Sequence, residues 1–410
     1  MSTAAQGSAE PSRICIVGAG LAGAKAAITL REEGFEGSVV LLGAEPERPY
    51  ERPPLSKGLL TGDASSDSVY VEDAAFYDDH DIDLRIDTTA VELHVDEGTV
   101  LLADGSAVAF DSALIATGAE PRSLRVPGAE GVMVRYLRTL ADSQQLHSDF
   151  AASPRLVVVG AGWVGLEVAA AARGAGCDVT VLESADTPLG AVLGPQMGQV
   201  FADLHSEHGV RLHTGTAVSG LEDGAVHTEG GGVVPADLVL VAVGAAPRTD
   251  IAAAAGLAVD DGVLVDASLR SSAPAVFAAG DVARAIHPRY QRHVRVEHWA
   301  NALNSGPAAA RAMLGQNVVY DRLPYFYTDQ YDLGMEYVGY ADPTQTDVVV
   351  RGDVEARTFQ AFWLNGSVVD AAMHVNMWDD GVEPLKELVA SQRVVDPAAL
   401  ADPSVALADL

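Results

Sequence analysis

The sequence predicts an α/β chain in which two parallel-sheet units, the second inserted into the first, are followed by a smaller α+β domain. Two observations predict this. A short apolar run, the pattern G-x-G-x-x-G and a small-residue helical stretch occur in that order twice, over Arg13–Leu30 and again over Leu156–Arg173. Beyond about residue 320 the pattern changes to short alternating segments at 334–340, 347–351, 357–364 and 367–372, which read as strands, with a helix at 382–391. The expected boundaries are 1–119 and 246–320 for the first unit, 120–245 for the insert and 321–410 for the last domain.

The first repeat sets the chemistry. Ile14-Cys15-Ile16-Val17 suits a buried parallel strand, and the Ala-rich segment 24–30 a helix. Between them Gly18 allows the tight turn, Gly20 lets a pyrophosphate approach the backbone, and Gly23 lets helix and strand pack closely. The helix N-terminus offers unpaired N–H groups to the phosphates. Leu156–Val159 runs in the same way into Gly160, Gly162 and Gly165, followed by a helix over Leu166–Arg173. Two complete fingerprints imply two Rossmann-like dinucleotide-binding domains, the simplest pairing being a resident flavin and an exchanging nicotinamide.

Composition narrows the field. No apolar run approaches the ~18 residues of a membrane span. The opening MSTAAQGSAEPS lacks the basic and apolar regions of a secretory signal and reads as a disordered lead-in. The two cysteines, Cys15 and Cys177, form no C-x-x-C, which excludes a redox-active dithiol of the thioredoxin-reductase kind and makes packing their expected role. Cytoplasmic location is the default. A formal charge of −31 argues against nucleic acid and anionic membranes as partners. Against it stand two basic clusters: Arg284, His287, Arg289, Arg292, His293 and Arg295, with Arg311 close behind, and Arg122, Arg125, Arg135 and Arg138. Arg289, Arg292 and Arg311 are candidates for a positive docking patch that steers a small acidic protein.

Ser38–Leu42 is the second strand, and Glu45, about twenty residues past the glycines, is placed to accept the adenosine ribose hydroxyls. Pro49, Pro53 and Pro54 then stiffen the backbone and forbid helix until after Pro54. Arg52 suits a bidentate phosphate contact. Lys57 is one of only three lysines. In the insert, Asp178–Leu182 is a strand ending in Glu183, eighteen residues after Gly165. A carboxylate there accepts both ribose hydroxyls of NAD and repels a 2′-phosphate, so NADH is favoured over NADPH. Glu167, two past the last glycine, is a charged residue where the helix should face the core.

At this point the sequence resembles a known family. The segment Pro49–Lys57, PYERPPLSK, after a first fingerprint is similar to the FAD-binding segment of the FAD-dependent NADH:ferredoxin reductases, a group that takes in rubredoxin reductases, dioxygenase reductase components and apoptosis-inducing factor. The resemblance implies that Arg52 contacts the flavin pyrophosphate, that Lys57 sits by the reactive edge of the isoalloxazine, and that Glu167 pairs with Lys57 on the nicotinamide side. It implies also that the backbone at Ala90–Val91 reaches the adenine. Thr117 and Gly118, in DSALIATGA, would pass the FAD, with Arg122 near the flavin. Many relatives carry an acid where this chain has Ala44.

Segments 82–86, 90–95, 99–102 and 107–110 read as further strands, as does Asp237–Gly244, whose Gly244 lies by the nicotinamide path. Ser272–Val282 reads as a strand into Gly280-Asp281, similar to the family's second FAD motif. Asp281 would accept the ribityl hydroxyl and the Val282 N–H would lie by the pyrimidine end of the ring. Glu297, His298 and Trp299 belong to a segment, EHWANA, that in the family covers the ring and borders the nicotinamide pocket, with a following helix carrying Arg311 outward. Leu323–Asp332 resembles P-x-F-W-S-D-Q-Y, with Tyr327 at the position of the flavin-stacking tryptophan.

The implied function is a flavoenzyme that takes hydride from NADH onto FAD, with Lys57 and Glu167 as catalytic residues, and passes single electrons to an acidic [2Fe–2S] ferredoxin serving a cytochrome P450 or an oxygenase. A rubredoxin, a small-molecule acceptor, or an NADH-sensing role like that of apoptosis-inducing factor are the alternatives.

Overall fold

The computed structural model describes residues 11–129, 134–222 and 224–410, so most of the expected lead-in lies outside the described residues. The chain forms two compact units. One holds the chain up to Glu51 with Val69–Glu120 and Ala246–Arg322; the other holds Arg52–Ser68, Pro121–Ala245 and Leu323–Leu410.

The first unit is built on a five-stranded parallel sheet in the order Val276–Ala278, Ser112–Ile115, Arg13–Val17, Ser38–Leu42, Ile82–Arg85. Its strands are near-continuous apolar runs because both faces are covered. Ile14, Ile16, Leu30, Leu41 and Phe277 fill the core. Arg13–Val17 pairs with Ser38–Leu42 on one side and with Ser112–Ile115 on the other, so the strand order reverses there. Ligands of open parallel sheets bind at such a switch point, and the first glycine loop stands at it. Helix Leu21–Glu32 follows the loop and packs so closely on helix Trp299–Met313 that a Cβ on Gly306 would lie 2.1 Å from the Ala22 carbonyl oxygen. A three-stranded antiparallel sheet, Ala90–His94, Thr99–Leu102 and Ala107–Ala109, lies at the side.

The second unit repeats the arrangement. Its parallel sheet runs Arg211–His213, Asp178–Leu182, Arg155–Val159, Leu238–Val241, Val134–Arg135, again reversing at the fingerprint strand. In the same unit an antiparallel sheet runs Tyr325–Gln330, Leu333–Gly339, Val368–Val375, Thr358–Asn365, Asp347–Asp353. Alternation divides its two faces. Phe326, Met335, Tyr337, Phe359 and Trp363 share a core with Val158, Leu166 and Phe201. Val338, Phe362 and Ala372 face the other way, onto Leu385, Leu388 and Val389 of helix Glu383–Ser391.

Several elements differ from the sequence expectation. The strand expected over 272–282 is only Val276–Ala278, because a turn closed by Val276 N–H on the Ala273 carbonyl precedes it and a 3₁₀ turn at Gly280–Val282 follows. The strand expected over 237–244 is Leu238–Val241. A 3₁₀ turn begins at Pro53 itself, whose missing N–H costs nothing in the first helical position. Helices Leu140–Ala152 and Gly190–Glu207 and strand Tyr325–Gln330 were not expected. The first had a readable signal, a capping box of Thr139 and Asp142. The second hides its period behind Gly194 and Pro195, where a kink breaks the helix. Among the described residues no helix is long and apolar enough to cross a membrane.

Candidate functional site

The two glycine loops have nearly the same geometry. Gly18 and Gly160 have φ of +116° and +102°, which favours glycine, and a Cβ on either would lie 2.2 and 2.4 Å from the carbonyl oxygens of Ala116 and Ala242. A Cβ on Gly23 or Gly165 would strike the carbonyl oxygen of Gly18 or Gly160, at 2.0 and 2.2 Å. Those four glycines serve the fold. Gly20 and Gly162 do not: a Cβ on either meets no protein atom within 4 Å. Both cap their helices in extended conformation without any side-chain hydrogen bond to the N-terminal N–H groups. Open space above a glycine, beside undersatisfied N–H donors, is what a pyrophosphate requires. The loops therefore fit a dinucleotide each.

At the end of the insert's second strand Glu183 turns back onto its loop. Its carboxylate accepts from the Ala161 N–H at 2.6 Å and the Ala185 N–H at 2.8 Å. Glu183 thus ties the glycine loop to the end of the second strand. Nearby, the Arg122 N–H donates to the Gly244 carbonyl at 2.9 Å, while the Arg122 side chain is exposed; Gly244 has φ +100°.

The same unit holds a buried polar cluster. Glu167 lies on helix Trp163–Gly174 and is only 6% exposed. A buried carboxylate needs compensation on both oxygens. Lys57 Nζ stands 2.7 Å from Oε1, the Thr328 hydroxyl donates to the same oxygen at 2.6 Å, and the Ser56 hydroxyl donates to Oε2. Lys57 Nζ lies 5.5 Å from the centroid of the Tyr327 ring. Residues 110 and 161 positions apart thus meet on one carboxylate. Sequence reading singled out Lys57, Glu167 and Tyr327 but missed Ser56 and Thr328, neighbours of Lys57 and Tyr327 whose hydroxyls carried no signal of their own. Arg52, at the start of the segment bearing Ser56 and Lys57, donates to the Arg138 carbonyl.

In the first unit Glu45 accepts from the Tyr50 hydroxyl, which fixes its carboxylate beyond the second strand. The Thr117 hydroxyl donates to the Arg248 carbonyl at 2.7 Å and the Arg248 N–H to the Gly118 carbonyl at 2.9 Å, pinning that crossing. Val91 is 42% exposed at a bulge between Ala90 and Glu92. Asp281 and Val282 occupy the 3₁₀ turn, whose Gly280 N–H donates to the Ser305 hydroxyl at 2.9 Å; Val282 is fully buried. His298 caps helix Trp299–Met313. Burial pushes its pKa down to about 4, with the Asp281 carboxylate acting weakly in the opposite sense. Glu297 is exposed and accepts from Arg295.

Of the basic candidates, Arg292 is exposed at the end of strand Arg292–Arg295, and Arg289 stacks over the Tyr290 ring at 5.8 Å. Arg311 is held by Glu33 at 2.7 Å, which offsets its charge. Both cysteines are buried thiols, Cys15 in the central strand with its pKa pushed up to about 12 by burial.

Comparison with known proteins follows the same lines. Rhodocoxin reductase of Rhodococcus erythropolis is 39% identical over 394 residues, 95% of this chain and 92% of that protein. The anthranilate 1,2-dioxygenase system ferredoxin–NAD(+) reductase component of Burkholderia cepacia is 38% identical over 405 residues, 98% and 99% of the two chains. The structure of a covalent putidaredoxin reductase–putidaredoxin complex superposes with a TM-score of 0.93 at 37% identity, covering 97% of both chains. Residues 325–410 match the reductase C-terminal family. With residues 12–306 matching its profile, the chain belongs to the pyridine nucleotide-disulphide oxidoreductase family.

Proposed function

We propose that this chain is an FAD-dependent ferredoxin–NAD(+) reductase, drawing electrons from NADH and delivering them singly to a [2Fe–2S] ferredoxin that supplies a cytochrome P450 or an oxygenase. The observation that carries the reading is the pair of loops opened by Gly20 and Gly162 in a chain whose two thiols are both buried, Cys15 within a strand and Cys177 just ahead of one. Two dinucleotides without a dithiol send the electrons from the flavin to an external acceptor rather than to a disulfide of the chain itself. The relatives supply its kind: one is a ferredoxin–NAD(+) reductase component and another was captured joined to putidaredoxin. We place its action in the cytoplasm, the compartment that supplies NADH and keeps thiols reduced.

Bound FAD supplies the step from a two-electron donor to a one-electron acceptor. The chain supplies the positioning. Gly18, Gly20 and Gly23, with Glu45, Thr117, Gly118, Asp281 and Val282, would hold the FAD, and Arg52 is the residue the family resemblance gives to its pyrophosphate. By the same resemblance Val91, Arg122, Trp299 and Tyr327 would border it, and Glu297 and His298 would serve the nicotinamide. Gly160, Gly162 and Gly165 would bind the NADH pyrophosphate, and Glu183 would accept from its ribose, so a 2′-phosphate would be repelled. Hydride transfer needs no proton in line, so orientation does most of the work. Lys57, held by Glu167, would offer an ammonium group to the flavin ring and stabilise negative charge there.

Anaerobic stopped flow tests this. NADH should bleach the flavin band faster than NADPH does, and a [2Fe–2S] ferredoxin should restore it within a turnover. Bleaching that no ferredoxin reverses would move the acceptor elsewhere; preference for NADPH would remove the role given to Glu183.

A further inference from the structure

Glu167 is the end of a longer chain of polar groups in the same unit. Its hydroxyl partner Thr328 receives the side-chain amide of Gln330, Nε2 to Oγ1, at 3.2 Å. Gln330 Oε1 lies 2.9 Å from His205 Nε2, and His205 Nδ1 lies 3.5 Å from the Tyr331 hydroxyl. Thr328, Gln330 and His205 are essentially sealed from solvent, at 0%, 1% and 0% exposure. They come from the antiparallel sheet and from helix Gly190–Glu207, none of which borders the glycine loops in sequence.

The direction of every bond follows from the carboxylate. A carboxylate paired with lysine can only accept, so the Thr328 hydroxyl spends its single proton on Glu167. Thr328 Oγ1 must then accept, which places the Gln330 amide N–H toward it and the Gln330 carbonyl toward His205. A carbonyl accepts, so His205 carries its proton on Nε2. Burial pushes the His205 pKa down to about 4, so the ring is neutral and Nδ1 is left as an acceptor for the Tyr331 hydroxyl. That hydroxyl keeps its proton, its pKa pushed up to about 12 by burial. All four donors point one way, toward Glu167. Aligned donors polarise one another.

The far end is pinned. Tyr331 sits in the two-residue turn between strands Tyr325–Gln330 and Leu333–Gly339 with φ +56°, a conformation that favours glycine. Its ring stacks on His208 with centroids 3.7 Å apart and meets the edge of His205 at 5.3 Å. A non-glycine residue kept in the left-handed region, with its ring so engaged, marks a turn held for its side chain.

We propose that Thr328, Gln330 and His205 are positioning residues that orient the Glu167 carboxylate on Lys57, and through it set the electrostatics at the reacting ring. The proposal rests on the reading of Lys57 and Glu167 as the pair beside the flavin. None of the three touches the reacting atoms. Thr328 sets which carboxylate oxygen Lys57 meets, Gln330 keeps the threonine hydroxyl aimed, and His205 keeps the amide from turning over.

The test uses the purified holoenzyme with four substitutions: E167Q, T328V, Q330M and T328S. Two quantities are read, the midpoint potential of the bound flavin by dye equilibration and the rate of anaerobic bleaching by NADH. E167Q shifts the potential and slows bleaching. T328V shifts both in the same direction, with bleaching slowed about tenfold, the value of one hydrogen bond to a charged group. Q330M gives a smaller change of the same sign and carries the test should T328V fail to fold. T328S, which keeps the hydroxyl, rescues both readings. T328V adds little to E167Q, because the two act through one carboxylate. If E167Q moves both quantities while T328V and Q330M match the parent, the relay is overturned and the Lys57–Glu167 reading stands. If E167Q moves neither, that reading falls and takes the proposal with it.

Discussion

Glycines of one fingerprint should separate into two classes under the same substitution. At Gly162 the backbone has φ −80° and ψ −177°, open to any residue, and the added methyl meets nothing. Replacing glycine by alanine in a helix-capping position costs up to about 1 kcal/mol, and reduced freedom of the unfolded chain returns about 0.4–1. G162A should therefore melt within roughly 3 °C of the parent, on the usual scaling of stability to melting temperature. Its methyl stands where the pyrophosphate must approach the loop. Displacing one or two charge-assisted contacts, each worth about 1.5–3 kcal/mol, should weaken NADH at least tenfold. At Gly165 the methyl would lie 2.2 Å from the Gly160 carbonyl oxygen. Backbone meets backbone there, so G165A should lose about 3 kcal/mol or more by the scale of overpacked cores. The assay is a thermal melt of each variant beside the dependence of bleaching rate on NADH concentration. A G162A protein with unchanged NADH dependence, or a G165A protein as stable as the parent, would refute the division of roles.

Three further outcomes can be checked. E183A strips the acceptor from the Ala161 and Ala185 N–H groups, and should cut the preference for NADH over NADPH about tenfold or more; paired steady-state measurements decide. His205 has its pKa depressed from 6.5 to about 4, so the unfolded chain binds the proton first. Stability is then full above about pH 6.5 and falls as the pH drops toward 4, by at most about 3 kcal/mol from this group. His298 is depressed to the same value, so H205Q should flatten only part of the loss in urea melts between pH 7.5 and 5. R289E should raise the apparent KM for an acidic ferredoxin several-fold at low salt, the difference shrinking as ionic strength rises. It is a cleaner test than R311E, which would set two acids face to face at Glu33.

What could be read from the sequence is what is local in it. Strands Ser38–Leu42 and Asp178–Leu182 stand where the apolar runs place them, because a parallel strand covered on both faces must be apolar throughout. Gly18, Gly23, Gly160 and Gly165 were legible because the turn leaves no room for any other residue, Gly20 and Gly162 because a pyrophosphate needs the space above them. Helix Gly190–Glu207 was not, since its apolar period is interrupted by Gly194 and Pro195. The donors around Glu167 were beyond reach for another reason: Ser56, Thr328, Gln330 and His205 are ordinary polar residues until the fold buries them together. Hydroxyl and amide groups gain meaning from their partners, and the bonds that tie Ser56 and Thr328 to Glu167, and Gln330 to His205, each span more than a hundred residues.

The second unit is assembled from three separate pieces of chain, and this limits how the protein can be taken apart. Leu60, from the short piece Arg52–Ser68, is 1% exposed among Leu146, Phe150 and Leu166, while the Leu55 carbonyl holds the Ser143 hydroxyl at 2.7 Å. Trp363, from the last piece, is fully sealed in the same core and donates its indole N–H to the Leu193 carbonyl at 3.2 Å. A recombinant fragment cut at the fingerprint domain's own ends would lose both plugs, together with the lysine that neutralises Glu167. Such a fragment would present raw apolar surface and an uncompensated acid, a recipe for inclusion bodies rather than a working nicotinamide module.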